Sequence, residues 1–453
     1  LLIQPATATP LWKTFLFLLG PLMLSNILQA LSGTLNNIYM GQMLGVEALA
    51  AVSSIFPLLF FFAAFVMGLG AGAPVLIGQA FGAREYGKMK AVAGTTLTVV
   101  MVLGVLVAVF GGLYTEQVLR VLGTPANILA DATAYARVML ISMPGLFLFL
   151  MITSLTRGVG DTKTPLIALA ISTSFGLILT PAFIRGWWSL PQLGVQSAAV
   201  ASVIATAIAL TWIFFHMRRR AHPLAPDAEL FRHLAIDAAI LRSVLRLGLP
   251  AGVQMIVMSL AEIALLSFVN RYGSNATAAY GAVNQVLNYV QFPAMSIAIT
   301  ASILGAQAIG SGRVDRLAAI TRTGLAMNLF ISGTLITLAY IFSRSIIGAF
   351  VTSAEVIELA QTLLHIVLWS VAVFGASAVL SGVMRASGTV VAPTVISILA
   401  IAAIEVPVAY VLSHHIGING IWIAYPVAFI ALFTMQLAFY WFIWRHKTIR
   451  RLI

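Results

Sequence analysis

His216-Met217-Arg218-Arg219-Arg220-Ala221-His222-Pro223-Leu224-Ala225-Pro226 lies near the middle of the chain, with Arg232, Arg242 and Arg246 close behind it. On either side the sequence is almost unbroken in its apolar character. A basic, Pro-containing segment between two apolar halves reads as a cytoplasmic linker joining two membrane-embedded bundles. The expected organisation is an N-lobe over residues 1–216, a linker over 217–246, a C-lobe over 247–444 and a basic tail over 445–453.

Composition narrows the class. Of 453 residues, 60% are hydrophobic and only 8% charged, with a mean hydropathy of +1.02. A soluble domain carries about a quarter charged residues, so a soluble fold is excluded. The apolar runs are long enough to cross a hydrocarbon core of about 30 Å as helices. They lack the apolar–polar alternation of a membrane β-barrel. The first run keeps Pro21 and Asn26 inside it and meets no small-residue cleavage site, so it reads as a retained helix. The net charge of +12 does not mark a nucleic-acid binder, because the positive residues sit in short loops between apolar runs. There is no Cys, and seven His residues show no zinc spacing.

Twelve spans are read at about 14–38, 48–77, 91–113, 129–152, 165–184, 194–216, 248–270, 277–304, 320–342, 356–380, 391–413 and 418–444. With the N-terminus inside, 20 of the 25 Lys and Arg fall in cytoplasmic loops and 5 outside. That bias places both termini in the cytoplasm. Trp12, Trp187, Trp188, Trp441 and Trp444 stand at span edges as interfacial anchors.

The halves are copies. An offset of 228 carries Gly20 onto Gly248, Gly45 onto Gly273, Gln79 onto Gln307 and Gly82 onto Gly310. It still holds for Arg157 and Arg385, Gly160 and Gly388, and Pro165 and Pro393, then drops to 223 where Gly194 meets Gly417. Six spans per copy is an even number, so the repeats are parallel. The expected fold is all-α and integral to the membrane: twelve transmembrane helices in two parallel six-helix repeats around a central cleft.

Polar residues inside spans mark candidate function. Span one carries Asn26, Gln29, Asn36 and Asn37; span seven carries Gln254 and Glu262; span eight carries Asn284 and Asn288. These are candidate cavity residues, and helix–helix hydrogen bonding is an equally open role for each Asn and Gln. Of thirteen acidic residues only Glu262 and Glu405 fall well within spans. A carboxylate that is costly to bury charged binds a proton or a cation, which is the chemistry of ion coupling. His365, of the side-chain type used as a pH switch, joins them as a coupling candidate. Gly68-x-Gly70-x-Gly72 precedes Pro74 within a membrane helix with no strand before it, so it is no dinucleotide fingerprint. No Walker sequence is present, and an ion gradient is the expected energy source.

Arg157-Gly158-Val159-Gly160-Asp161-Thr162-Lys163-Thr164-Pro165 closely resembles the loop signature of the multidrug and toxic compound extrusion (MATE) family. Within it, Arg157, Gly160, Asp161, Thr162 and Pro165 carry the match. Pro21-Leu22-Met23-Leu24-Ser25-Asn26 and Gly78-Gln79-Ala80-Phe81-Gly82-Ala83 look like the same family, and the likeness covers nearly the whole chain. The resemblance implies an antiporter that exports varied, often cationic amphiphiles against inward H+ or Na+, without a cofactor, as a functional monomer. Its partners are small organic compounds and membrane lipids, with no nucleic acid, and its place is a prokaryotic inner membrane. The similarity is greatest to the DNA-damage-inducible branch, yet that branch's carboxylates are absent. Asn36 stands where its span-one Asp belongs, and its span-five Asn-x-x-x-Asp-Pro reads Gly176, Thr180, Pro181. Sodium-coupled members have a span-seven Glu where Met258 stands, and a span-ten Asp near Phe374 or Gly375. Glu262 and Glu405 then read as a coupling pair moved into the C-lobe. Other functions stay open: a flippase for lipid-linked or other amphipathic substrates, or a binding protein that moves nothing. An enzyme is not expected, since no convergent acid, base or metal cluster appears.

Overall fold

The computed structural model describes residues 10–452, which are almost wholly helical, with no strand among them. Among these residues ten helices are long and apolar enough to cross a bilayer: Leu11–Leu44, Glu47–Gly82, Tyr86–Val121, Lys163–Arg185, Gly194–Arg219, Ala238–Asn270, Ser274–Gly310, Arg316–Ile341, Val391–Ile416 and Ile418–His446. Two bent pairs, Leu129–Ile141 with Met143–Gly158 and Ala354–Val367 with Ser370–Ala386, supply the fourth and tenth crossings. The spans are numbered one to twelve in chain order. By packing, the described residues divide into two compact units, Leu24–Leu249 and residues 250–452 together with 10–23. Spans one and seven therefore each contribute to both units.

Backbone angles record the duplication. Gly45 and Gly273 have φ of 93° and 91°, and Gly160 and Gly388 have 84° and 82°. These left-handed values favour Gly, so the repeated glycines mark turns that both copies keep. Arg84 at φ 60° is the partner of Gly312 at 77°: the conformation survives there without the residue.

The bends recur as well, at 50° in span four and 43° in span ten, but only the first has a proline beside the break. In span four Pro144 lacks an N–H and its ring displaces the carbonyl one turn back. Ala372 holds the equivalent place in span ten. Its carbonyl accepts a hydrogen bond from Nδ2 of the buried Asn328 of span nine at 2.9 Å.

Helices pack through small residues. A Cβ on Gly158 would stand 2.8 Å from Ile77 Cγ2 and from the Pro74 carbonyl oxygen. In the second copy the same contact is Ala386 against Gly305, where a Cβ on the glycine would fall 2.8 Å from that of Ala386. The small partner has changed sides while the helix separation is kept.

The linker is a built element. Asp227 caps the short helix Ala228–Arg232 by accepting from the Leu230 N–H at 2.9 Å. Lys90 pairs with Asp227 and, at 2.7 Å, with Glu229, and the Lys90 hydrogen bond holds the Asp227 carboxyl below its usual range. Asp237 accepts from the N–H groups of Ala239 and Ile240, so span seven begins at Ala238, ahead of the start near 248 read from sequence. Trp444 departs from its expected role as an interfacial anchor. It is 3% exposed, and its indole donates to the Ser387 hydroxyl at 2.9 Å, whereas Trp12, Trp187, Trp188 and Trp441 are exposed.

The signature loop links spans four and five. Asp161 accepts from the Lys163 and Thr164 N–H groups at 3.0 Å each and from the Thr164 hydroxyl, and His222 of the linker lies 3.4 Å away. Thr162 and Pro165 are buried beneath it, and the half-buried Arg157 presents a buried Nε with no hydrogen-bond partner among the described residues. Burial by itself pushes the Asp161 carboxyl up, but the His222 and Thr164 contacts outweigh it and hold the group at about 2.

Two outcomes are expected. Gly158→Ala should lower the thermal midpoint through overpacking worth about 1–3 kcal/mol, and adding Ile77→Ala should recover part of the loss. For Asp161 the folded value is depressed, so its stabilisation is complete above about pH 4 and is lost as pH falls through about 2. Thermal unfolding of Asp161→Asn should therefore differ from the parent at pH 7, with the difference shrinking steadily below pH 4.

Candidate functional site

Pro407 has no N–H to give, and its ring excludes the carbonyl of Ala403 from the helical ladder. Span eleven meets this with a π-turn over Ala400–Glu405, a local widening that often accompanies functional sites. Glu405 closes the turn and is 6% exposed. Glu262, on span seven, is exposed, and the two carboxylates lie within Coulombic reach of each other. Two buried tyrosines complete the group: Tyr280 of span eight and Tyr425 of span twelve, with hydroxyl oxygens 3.3 Å apart. Each tyrosine lies in the field of both carboxylates, and Asn284, one turn beyond Tyr280, reaches the Tyr280 hydroxyl.

An aromatic wall backs these groups. Trp422 is fully buried, with its ring 5.4 Å from Tyr280 and 5.8 Å from Tyr425 between centroids. Its indole N–H has no hydrogen-bond partner among the described residues. Neither glutamate forms an ion pair with a Lys, Arg or His among those residues. The assembly is an acidic pair with hydroxyl and amide neighbours and no fixed positive charge. Carboxylate oxygens without a fixed counter-charge are the kind of group that can accept a proton or a cation.

Other candidate residues fall elsewhere. Gln254 is half-buried two turns before Glu262, and Asn288 is exposed one turn past Asn284. His365 is exposed on span ten, where its ring meets the Ser343 hydroxyl at 3.3 Å and the Tyr340 ring at 5.1 Å. The structure does not bring it to the carboxylates. On span one Asn26 and Asn36 are half-buried, while Gln29 and Asn37 are exposed. The Thr180 hydroxyl lies 3.4 Å from Asn36 Oδ1 and 2.8 Å from the Gly176 carbonyl. The two positions where the resemblance expects carboxylates thus hold a neutral, long hydrogen bond.

Tyr425, Trp422 and Asn328 were not signalled by the sequence. Trp422 stands one turn inside span twelve, where position alone does not separate it from an interfacial anchor. Asn328 fills the space beside Gly375: a Cβ there would meet its Oδ1 at 2.0 Å. Among the described residues no cluster of three His, Asp or Glu side chains has metal-site geometry.

Known proteins share this architecture. The chain is 46% identical to the probable multidrug resistance protein YoeA of Bacillus subtilis, over all of this chain and 98% of that protein. It is 24% identical to the multidrug export protein MepA of Staphylococcus aureus, over 91% of this chain and 90% of that one. The Vibrio cholerae MATE transporter VcmN, solved as an aspartate-to-asparagine mutant, superposes with a TM-score of 0.89 at 21% identity, covering 97% of this chain and 98% of VcmN. An outward-facing multidrug resistance MATE transporter superposes with a TM-score of 0.86 at 22% identity, covering 94% of each. The MatE family model matches twice, over residues 21–182 and 250–411, once in each copy of the repeat. This multi-pass membrane protein belongs to the MATE family of transporters.

Proposed function

We propose that the protein is a multidrug exporter of a prokaryotic inner membrane, with both termini in the cytoplasm, exchanging amphiphilic and often cationic organic compounds for inward H+ or Na+. The observation that carries this reading is the pairing of Glu262 with Glu405 beside the Tyr280–Tyr425 hydroxyls. The multidrug names of YoeA and MepA support the substrate class. Among the described residues no positive side chain pairs with either glutamate, so bound H+ or Na+ and an organic cation compete for one acidic site. Occupancy by one disfavours the other, which is the minimum requirement for exchange. Buried Glu405, at the end of a π-turn, is suited to hold the ion, while exposed Glu262 is suited to meet arriving solute. Asn284 and the two tyrosines supply hydrogen bonds that do not fix which cation is held. The pathway needs no second chain, since both repeats lie in one polypeptide.

The test is efflux of a fluorescent organic cation from proteoliposomes under separately imposed proton and sodium gradients. Glu405→Gln should lower gradient-driven efflux at least about tenfold, the equivalent of ~1.4 kcal/mol, while substrate still binds. Glu262→Gln should weaken both efflux and substrate binding. Normal transport by both variants places coupling elsewhere. Absence of any gradient response in the parent rejects exchange altogether.

A further inference from the structure

The repeat offset carries Gly94 and Thr95 of span three onto Arg322 and Thr323 of span nine. In the first copy this helix face is closed by protein. A Cβ on Gly94 would fall 2.2 Å from the His233 carbonyl oxygen, and the Thr95 hydroxyl donates to the Ala235 carbonyl at 3.1 Å. In the second copy the same face is open. Arg322 and Thr323 line a crevice of about 610 Å³ together with Trp12, Leu16, Ala326 and Phe330. A second crevice of about 590 Å³ continues from Ala326 and Phe330 to Leu338. From Arg322 to Leu338 the helix rises about 24 Å, more than one leaflet of a ~30 Å hydrocarbon core.

The chemistry of this trough is graded. Arg322 is exposed and has no ion-pair partner among the described residues. Lys13 lies close by in sequence to the lining residue Trp12, its ammonium 5.4 Å from the indole centroid. Beyond them the wall is apolar, with Leu329 69% and Phe330 76% exposed. A guanidinium suits a phosphate through paired N–H donors, an indole favours the interface, and the apolar run suits a hydrocarbon chain.

We propose that this trough is a binding site for an anionic phospholipid, with its phosphate on Arg322 and Lys13 and one acyl chain along Phe330 toward Leu338. Where the linker covers one copy of the repeat, lipid covers the other. The lipid comes from the leaflet facing the basic loops, where anionic headgroups and basic side chains attract.

The site is tested by native mass spectrometry of the full chain released from nanodiscs of mixed phosphatidylglycerol and phosphatidylcholine. The parent should retain phosphatidylglycerol preferentially, and Arg322→Gln should reduce that retention about fivefold. Ala326→Trp, which fills the trough and leaves Arg322 in place, should reduce retention of both lipids. Equal retention of the two lipids by the parent, or unchanged phosphatidylglycerol in Arg322→Gln, overturns the proposal. Displacement by glycerol phosphate as effective as by phosphatidylglycerol also overturns it and shows a free-anion site. Removal of residues 1–9 that raises lipid retention assigns the trough to the chain itself and equally defeats the proposal.

Discussion

Inside a bilayer no water stands ready to satisfy a backbone carbonyl released from a helix, so any break must be repaired by the protein. Much of this fold is the working out of that demand. Pro407 frees a carbonyl, and the preceding π-turn takes up the strain while turning Glu405 inward. Span ten bends without a proline, and just past its bend Asn328 donates to the Ala372 carbonyl. The Pro393 carbonyl accepts from the Ser397 hydroxyl at 2.9 Å and, at 3.4 Å, from the Gln436 side-chain amide. In these cases buried polar side chains are tied to backbone carbonyls. The carboxylates differ, because neither one mends a backbone break.

Duplication supplied two equivalent frameworks that carry different polar groups. Turns at Gly45 and Gly273 and bends in spans four and ten are retained to within several degrees. The polar groups that the frames support are not. One copy has the neutral Asn36–Thr180 contact, and the other has two glutamates among tyrosines. A carboxylate in hydrocarbon carries a solvation penalty wherever it stands, so a second acidic pair would add cost to the fold. Shared geometry with charge in only one copy keeps that cost down.

The number of crossings and the repeat were legible because each rests on local pattern. Apolar length defines a span, and Gly with positive φ at a turn cannot be replaced freely, so Gly45, Gly160 and Gly194 survive in both copies. Glu262 and Glu405 stood out through rarity. What pattern could not provide was lateral neighbourhood. Nothing in the local pattern singles out Tyr280, which gains its meaning from Tyr425, 145 residues later, placed against it. Trp444 read as an anchor because nothing local announces its bond to Ser387. His365 sits at a plausible depth, yet its rotation around the helix turns it toward Tyr340 and Ser343.

The Asn328–Gly375 contact constrains how this lineage can change. The carbonyl repair at Ala372 and a side chain at position 375 compete for the same space. A side chain at 375 therefore requires Asn328 to move aside or be shortened, and either change gives up its bond to the Ala372 carbonyl. The two positions are coupled, so the effect of a substitution at one depends on the residue held at the other.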